Sequence, residues 1–221
     1  MSAEATASYV DPENGITYPL TQARWRSDQG RALMITPVPG MGKSEIDAGN
    51  RSIWRYRAAL PLPITAPVSL GEGLTPLVEH SYEGAPLHFK LEWFAPTGSF
   101  KDRGASVMIS YLRQVGISSI LEDSSGNGGA AVAAFGAAAG LKVRILCPES
   151  TQAAKIAQMP PSVRVCNLSR DLESDPKKRR SDSRTRFFTR VTIGSPFFFK
   201  GQSCWPTSCG RISGSARPTT S

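Results

Sequence analysis

Two short stretches carry residue types that could do chemistry. The first is PTGSFKDRG, Pro96 to Gly104, where Lys101 stands between Phe100 and Asp102 just behind a Pro-Thr-Gly turn. Ser99 is suited to cap a helix entered near Lys101, because a serine oxygen accepts from the unpaired N–H groups of a first turn. A lysine there faces the positive end of the helix dipole, so the position favours the neutral amine. A neutral amine attacks carbonyl carbon, which is the chemistry of Schiff-base lysines. Phe100 could shield such a site or lie against a flat cofactor. On position alone, a solvated surface lysine is the simpler reading.

The second stretch is SSGNGG, Ser124 to Gly129, which follows a strand-like segment and opens a helix. Such a loop presents backbone N–H groups and small hydroxyls at a helix N-terminus, a natural seat for a carboxylate or phosphate. Asn127 adds an amide that can donate to a phenolic oxygen or a carboxylate. Taken alone, a glycine-rich strand-to-helix turn is often only a tight connection. The pair is more telling. The loops lie one helix and one strand apart, so in a parallel sheet both fall at the end of the strands where ligands bind.

The elements that must position these loops are readable between Leu74 and Pro148. PLHFKLE (Pro86 to Glu92) alternates like a strand, and DRGASVMISYLRQVG (Asp102 to Gly116) has apolar residues at helical spacing with Gly116 as its C-cap. SSILEDS (Ser118 to Ser124) predicts a short strand, and GGAAVAAFGAAAG (Gly128 to Gly140) a small-residue helix able to lie very close to a sheet. LKVRILCP (Leu141 to Pro148) is the nearly continuous apolar strand that parallel sheets bury. Helix, strand, helix, strand at these lengths predicts an α/β crossover unit. Residues 1–70 are rich in Pro, Gly and Arg and predict an irregular N-terminal arm packed through Trp25, Trp54 and Tyr56. Within it GMGKS (Gly40 to Ser44) lacks the first glycine of a phosphate loop and reads as a turn.

Composition excludes several functions. The net charge of +8 over 221 residues suggests an acidic partner, but its distribution argues against one. Residues 160–221 hold twelve Lys plus Arg against four Asp plus Glu, whereas residues 1–159 hold fourteen of each. No apolar run approaches the roughly 20 residues that span a bilayer, and the start lacks the features of a signal peptide, so a cytoplasmic location is expected. Cys147, Cys166, Cys204 and Cys209 form no CxxC pair, and His80 and His88 lie far upstream, so no metal site is expected. Cys147 is read as a buried small hydrophobe.

SLGEGLTPLV, KLEWFAPTGSFKDRG, EDSSGNGGAAVAAFGAAAGLKVRILCPE and KIAQM, in that order from about Ser69 to Met159, resemble threonine synthase and its relatives among the fold type II pyridoxal-phosphate enzymes. The upstream WRYRAALP (Trp54 to Pro61) also looks like the segment preceding that start, and the zinc-binding cysteines of some relatives are absent. The resemblance implies an α/β fold, a parallel sheet with flanking helices, present here only in part (residues 71–159). It implies pyridoxal 5'-phosphate as cofactor, with Lys101 forming the internal aldimine and later moving protons. Asn127 would bind the pyridine 3-oxygen, and Phe100 would pack near the cofactor. Ser124, Ser125, Gly126, Asn127 and Gly128 would hold the substrate carboxylate, while Thr75 and Pro76 would line the entrance. The implied reaction converts O-phosphohomoserine to threonine and phosphate. A threonine or serine dehydratase, or a diaminopropionate ammonia-lyase, is the alternative within the class; a non-catalytic binding module is the alternative outside it. The expected partner is a small amino-acid substrate rather than nucleic acid or membrane, and intact relatives are often homo-oligomeric.

The family's later glycine-rich phosphate loop, and its Ser or Thr facing the pyridine nitrogen, are not recognisable after Met159. Residues 160–221 are charged, Ser-rich and aperiodic, which predicts disorder. Reading each codon from the preceding third base, with wobble positions free, GQSCWPTSCGRISGSARPTTS permits GTKLLAYELWEDLGFRAPDNI. That string looks like the continuation of a threonine-synthase-like chain. The tail is accordingly expected to be frame-shifted translation beginning near Met159 or Pro160. On that reading KKRR (Lys177 to Arg180) is a by-product of the shifted frame and not a nucleic-acid signal, and the chain is an enzyme cut short, without turnover.

Overall fold

The computed structural model describes residues 7–159 except 25, 62 and 125, together with the strands 164–168 and 189–191. The N-terminal arm is more regular than its composition predicts. Strands β1 (Ser8–Val10), β2 (Thr17–Pro19) and β3 (Met34–Ile35) form an antiparallel sheet in the order β2-β1-β3, with Tyr9 opposite both Tyr18 and Ile35. Short strands bounded by Pro and Gly show no helical or alternating period, which is why the sequence reads as irregular there. Of the three aromatics expected to anchor the arm, Trp54 and Tyr56 are buried on a 3-10 segment, Ile53–Ala59; Trp25 lies outside the described residues. GMGKS contains a short 3-10 turn, Lys43–Glu45, in keeping with the turn reading.

Strands β4 (Leu77–Tyr82) and β5 (Ala85–Lys90) make an antiparallel hairpin. Its turn uses positive φ at both Glu83 (50°) and Gly84 (79°), the backbone that matches the twist of a two-residue hairpin. Helix α1 (Lys101–Gln114) follows, and Gly116 at φ 83° ends it with bonds from Gly116 N to the Arg113 carbonyl and from Ile117 N to the Leu112 carbonyl. All residues from Asp102 to Leu112 are buried, so α1 is a core helix and not a surface one. Its polar positions are tolerated because they are bonded: Trp54 Nε1 donates to Ser106 Oγ at 2.9 Å, and Val68 N donates to Ser110 Oγ at 2.8 Å.

Next come β6 (Ser119–Asp123), α2 (Asn127–Ala138), β7 (Lys142–Pro148) and a single helical turn, α3 (Ala153–Ala157). β6 and β7 pair in parallel, Ile120 beside Val143 and Leu121 beside Arg144, which gives the expected α/β crossover. The small residues of α2 do what their size allows: a Cβ on Gly136 would stand 2.4 Å from Val143 Cγ2, so the helix rests directly on β7. Cys147 is fully buried, as read from its apolar run.

Two pieces of the region expected to be irregular are strands. β8 (Arg164–Leu168) pairs in parallel with β7 and β9 (Thr189–Val191) with β6, giving the order β8-β7-β6-β9. Unpaired donors and acceptors on both edges of a two-stranded parallel sheet accept any extended segment within reach. The remainder of residues 160–221 lies outside the described residues.

One continuous core joins the arm to the α/β unit, running from Ala7, Tyr9 and Trp54 through Met108 and Ile109 to Phe135, Ile145 and Met159. Residue 70 is therefore no boundary in the packing. Tyr9 Oη donates to Tyr111 Oη at 2.9 Å, and Tyr111 Oη donates to the Gln22 carbonyl at 2.8 Å, which pins the arm to α1.

Candidate active site

Both helices that carry the candidate residues begin at one end of the sheet. A crossover helix runs antiparallel to the strand it precedes or follows, so the N-termini of α1 and α2 lie at the C-terminal ends of β6 and β7. Open α/β sheets bind ligands at that end.

Lys101 is the first residue of α1 and is half-buried. The turn before it is held by several bonds. Thr97 N donates to Asp102 Oδ2 at 2.7 Å, Thr97 Oγ1 donates to Asp102 Oδ1, and Lys101 N donates to Ser99 Oγ at 3.3 Å. Ser99 thus takes a first-turn N–H as expected, although the helix boundary itself falls at Phe100. Asp102, fully buried, reaches back to close the turn. Burial pushes its carboxyl above the ordinary aspartate range against the opposing pull of the Thr97 bonds. The Lys101 ammonium lies 4.3 Å from the centre of the Phe100 ring, within cation–π range, and Phe100 is 43% exposed.

The second loop is closed around Ser124. Its Oγ accepts from Gly129 N at 2.9 Å and from Gly126 N at 3.4 Å, which caps α2 from within. Ser125 lies outside the described residues. A Cβ on Gly129 would stand 3.3 Å from Ile145, Met159 and Ser124, so the loop sits tight on the sheet only because that residue is glycine. Gly128 is buried and Asn127 is exposed. In the first turn of any α-helix the N–H groups have no carbonyl of their own helix to bind, so this end of α2 offers donors. The Asn127 carbonyl oxygen accepts from Lys155 Nζ of α3 at 2.9 Å.

Thr75 is placed apart from these groups in the chain's hydrogen bonding. It is buried, its hydroxyl donates to Glu92 Oε1 at 2.5 Å and accepts from Arg103 Nη2 at 3.3 Å, and Lys90 Nζ donates to its carbonyl. Arg103 Nε and Nη2 each donate to Glu92 at 2.9 Å. Burial alone would push the Glu92 carboxyl up, but the bonds from Arg103 and Thr75 outweigh it and hold the carboxyl below its usual range. This cluster ties the EGLTPL turn to the helix that bears Lys101. Glu72 does so a second time. It is fully buried, and accepts from Ser69 Oγ at 3.0 Å and Leu70 N at 2.9 Å, with Ser106 Oγ at 2.6 Å. None of Asp102, Glu92, Arg103, Glu72 or Lys155 stood out in the sequence, since a periodicity reading sees apolar faces and not buried polar partners. Their only signal was membership of the quoted strings EGLTP, KLEWF, SFKDR and KIAQM.

The residues present fit a pyridoxal phosphate site: a primary amine beside an aromatic face, an amide donor, and a glycine-walled helix N-terminus for a carboxylate. Comparison with known proteins agrees. The family described as "Pyridoxal-phosphate dependent enzyme" matches residues 68–161. A threonine synthase of Methanosarcina acetivorans is 38% identical over 113 residues, which is 48% of this chain and 28% of the relative. One of Halalkalibacterium halodurans is 35% identical over 163 residues, 68% of this chain and 46% of the relative. The chain thus spans less than half the length of either. Among solved structures, a pyridoxal 5'-phosphate-dependent aspartate racemase aligns with a TM-score of 0.53 at 22% identity, covering 62% of this chain and 46% of its own, a likeness of fold. The parallel sheet, the loops at its ligand-binding end and the matched segment agree: residues 68–161 match the pyridoxal-phosphate-dependent enzyme family, and the chain shares part of the fold type II architecture.

Proposed function

We propose that this chain descends from a threonine-synthase-like lyase of amino-acid metabolism, acting on O-phosphohomoserine to give threonine and phosphate, and that it has negligible turnover as it stands. The observation that carries the assignment is the placement of Lys101 and the Ser124–Gly128 loop at neighbouring helix N-termini on the C-terminal side of one parallel sheet. The threonine synthase relatives favour this substrate over others of the class.

In this reading Lys101 holds the cofactor and carries protons to and from the substrate carbon. When bound, pyridoxal phosphate supplies the electron sink for charge developing on that carbon. The Asn127 amide donates to the cofactor's ring oxygen. Backbone N–H groups of the 124–128 loop bind the substrate carboxylate, aided by the dipole of α2. Phe100, beside Lys101, would pack near the cofactor and limit water. Thr75 acts through Glu92 and Arg103, keeping the entrance turn fixed against α1.

Absence of turnover follows from residues 160–221, whose sequence supplies no recognisable phosphate loop. Loaded with pyridoxal phosphate and given O-phosphohomoserine, the chain as written is expected to release no phosphate. A chain whose reading frame is restored near codon 159 is expected to release phosphate and threonine. Ammonia release from threonine or serine by the restored chain would instead favour the dehydratase reading. Phosphate release by the unrestored chain as a soluble monomer would contradict the proposal.

A further inference from the structure

Asn127 is a useful donor only if its amide faces the right way. A side-chain amide has one end that only accepts and one that only donates, and the two are nearly alike in shape. The ring oxygen that Asn127 would meet carries negative charge and needs the donating end. Lys155 settles the orientation. A lysine ammonium has donors and no acceptor, so its 2.9 Å contact with Asn127 can be made only by the carbonyl oxygen. With Oδ1 engaged, the NH2 group occupies the other branch of the fork.

The elements make this contact reproducible. Asn127 is the first residue of α2, and α2 is locked to β7 by the close approach of Gly136 to Val143. Lys155 sits in the one turn of α3, which follows β7 directly and is tied down by bonds from Thr151 N to the Pro148 carbonyl and from Met159 N to the Ile156 carbonyl. Met159, at its end, is buried against Gly129 of the loop. The KIAQM segment thus closes over the loop and brings a cation to its amide.

We propose that Lys155 is a positioning residue: it fixes the rotamer and polarity of Asn127 so that Nδ2 donates toward the cofactor. The inference rests on the pyridoxal phosphate reading above. Because the charge-assisted bond is lost with either partner, the two residues act as a unit, and their effects should not add.

The test uses the full chain with the variants Lys155→Met, Lys155→Arg, Asn127→Ala and the Lys155→Met/Asn127→Ala double. Without cofactor, the Asn127 side-chain amide, identified by its loss in Asn127→Ala, is followed by NMR relaxation. It is expected to be restrained in the wild type and in Lys155→Arg, and freely rotating in Lys155→Met. With pyridoxal phosphate titrated in, Lys155→Met and Asn127→Ala are each expected to weaken binding about tenfold, the loss of about 1.4 kcal/mol. The double variant should be no weaker than Asn127→Ala, and Lys155→Arg should stay close to the wild type. An unchanged amide and affinity in Lys155→Met, or additive losses in the double, would overturn the positioning role alone. A wild-type chain that takes up no pyridoxal phosphate would overturn the proposed function and this role with it.

Discussion

At the scale of single residues, the chain separates the groups that would touch a ligand from those that hold them. Lys101 and the Ser124–Gly129 loop stood out in the sequence as a pair of loops one helix and one strand apart, and through the strings around them. Their supports were not legible, since Thr75 meets Glu92 across 17 residues and Arg103 across 28, and Ser106 meets Glu72 across 34. The Glu72 contact has a consequence for pH. Ser106 Oγ accepts from Trp54 and lies 2.7 Å from the Val68 carbonyl and 2.6 Å from Glu72, but a hydroxyl has one proton to give. Ser106 can therefore donate to only one of Glu72 and the Val68 carbonyl at a time. Burial, the largest influence, pushes the Glu72 carboxyl above the ordinary glutamate range, against the pull of the bonds it accepts from Ser106, Leu70 and Ser69. A carboxyl raised on folding stabilises fully below the unfolded range and loses that contribution as pH rises through the folded value. Glu72→Gln, which keeps a donor toward Ser106, is therefore expected to flatten the loss of stability as pH rises above the ordinary glutamate range, as followed by urea unfolding. A variant profile parallel to the wild type's would contradict the assignment. At Asp102, replacement by Ala frees the Thr97 turn and is expected to cost about 1–3 kcal/mol in the same measurement, through the half-buried Thr97 N–H left without its acceptor.

At the scale of elements, helical spacing located α1, small-residue composition α2 and a continuous apolar run β7, and these with the short β6 fall within a residue or two of their observed bounds. The arm escaped the same reading, since two- and three-residue strands have no period to show. Close approaches between elements depend on single glycines. Gly136→Ala places its methyl 2.4 Å from Val143 Cγ2 and is expected to destabilise by about 1–3 kcal/mol, as overpacking does. Gly73→Ala should cost more. Its φ of 117° is open to glycine alone, and the added carbon would lie 2.8 Å from the backbone nitrogen of Ile53. Thermal unfolding of the two variants side by side checks the order; a Gly73→Ala chain as stable as Gly136→Ala would contradict it.

At the scale of the molecule, sequence and structure divide the chain differently. The sequence places a boundary near residue 70, where composition changes, yet the core runs straight through it from Tyr9 to Ile145. Near residue 160 the charge changes sharply, and the sheet continues past it with β8 and β9 on the edges of β7 and β6. Removing residues 160–221 uncovers both edges of a parallel pair whose strands bury Ile120, Leu121, Ile145 and Leu146. The shortened chain is expected to aggregate, by light scattering, at concentrations where the full chain does not. A clear monomer would show that the tail strands contribute nothing to solubility. We propose the frame-shifted origin of residues 160–221 on the strength of the permitted alternative reading, and sequencing the coding DNA across codons 150–175 checks it: a clean single frame there would refute it.

On the proposed function, Lys101 is the residue that holds pyridoxal phosphate. The direct measurement is to incubate the full chain with the cofactor, reduce with borohydride, and map the labelled peptide by mass spectrometry, with Lys101→Ala in parallel. The expected result is a pyridoxyl group on Lys101 in the wild type and no specific label in the variant. Label spread over surface lysines, or label retained in Lys101→Ala, would contradict the account.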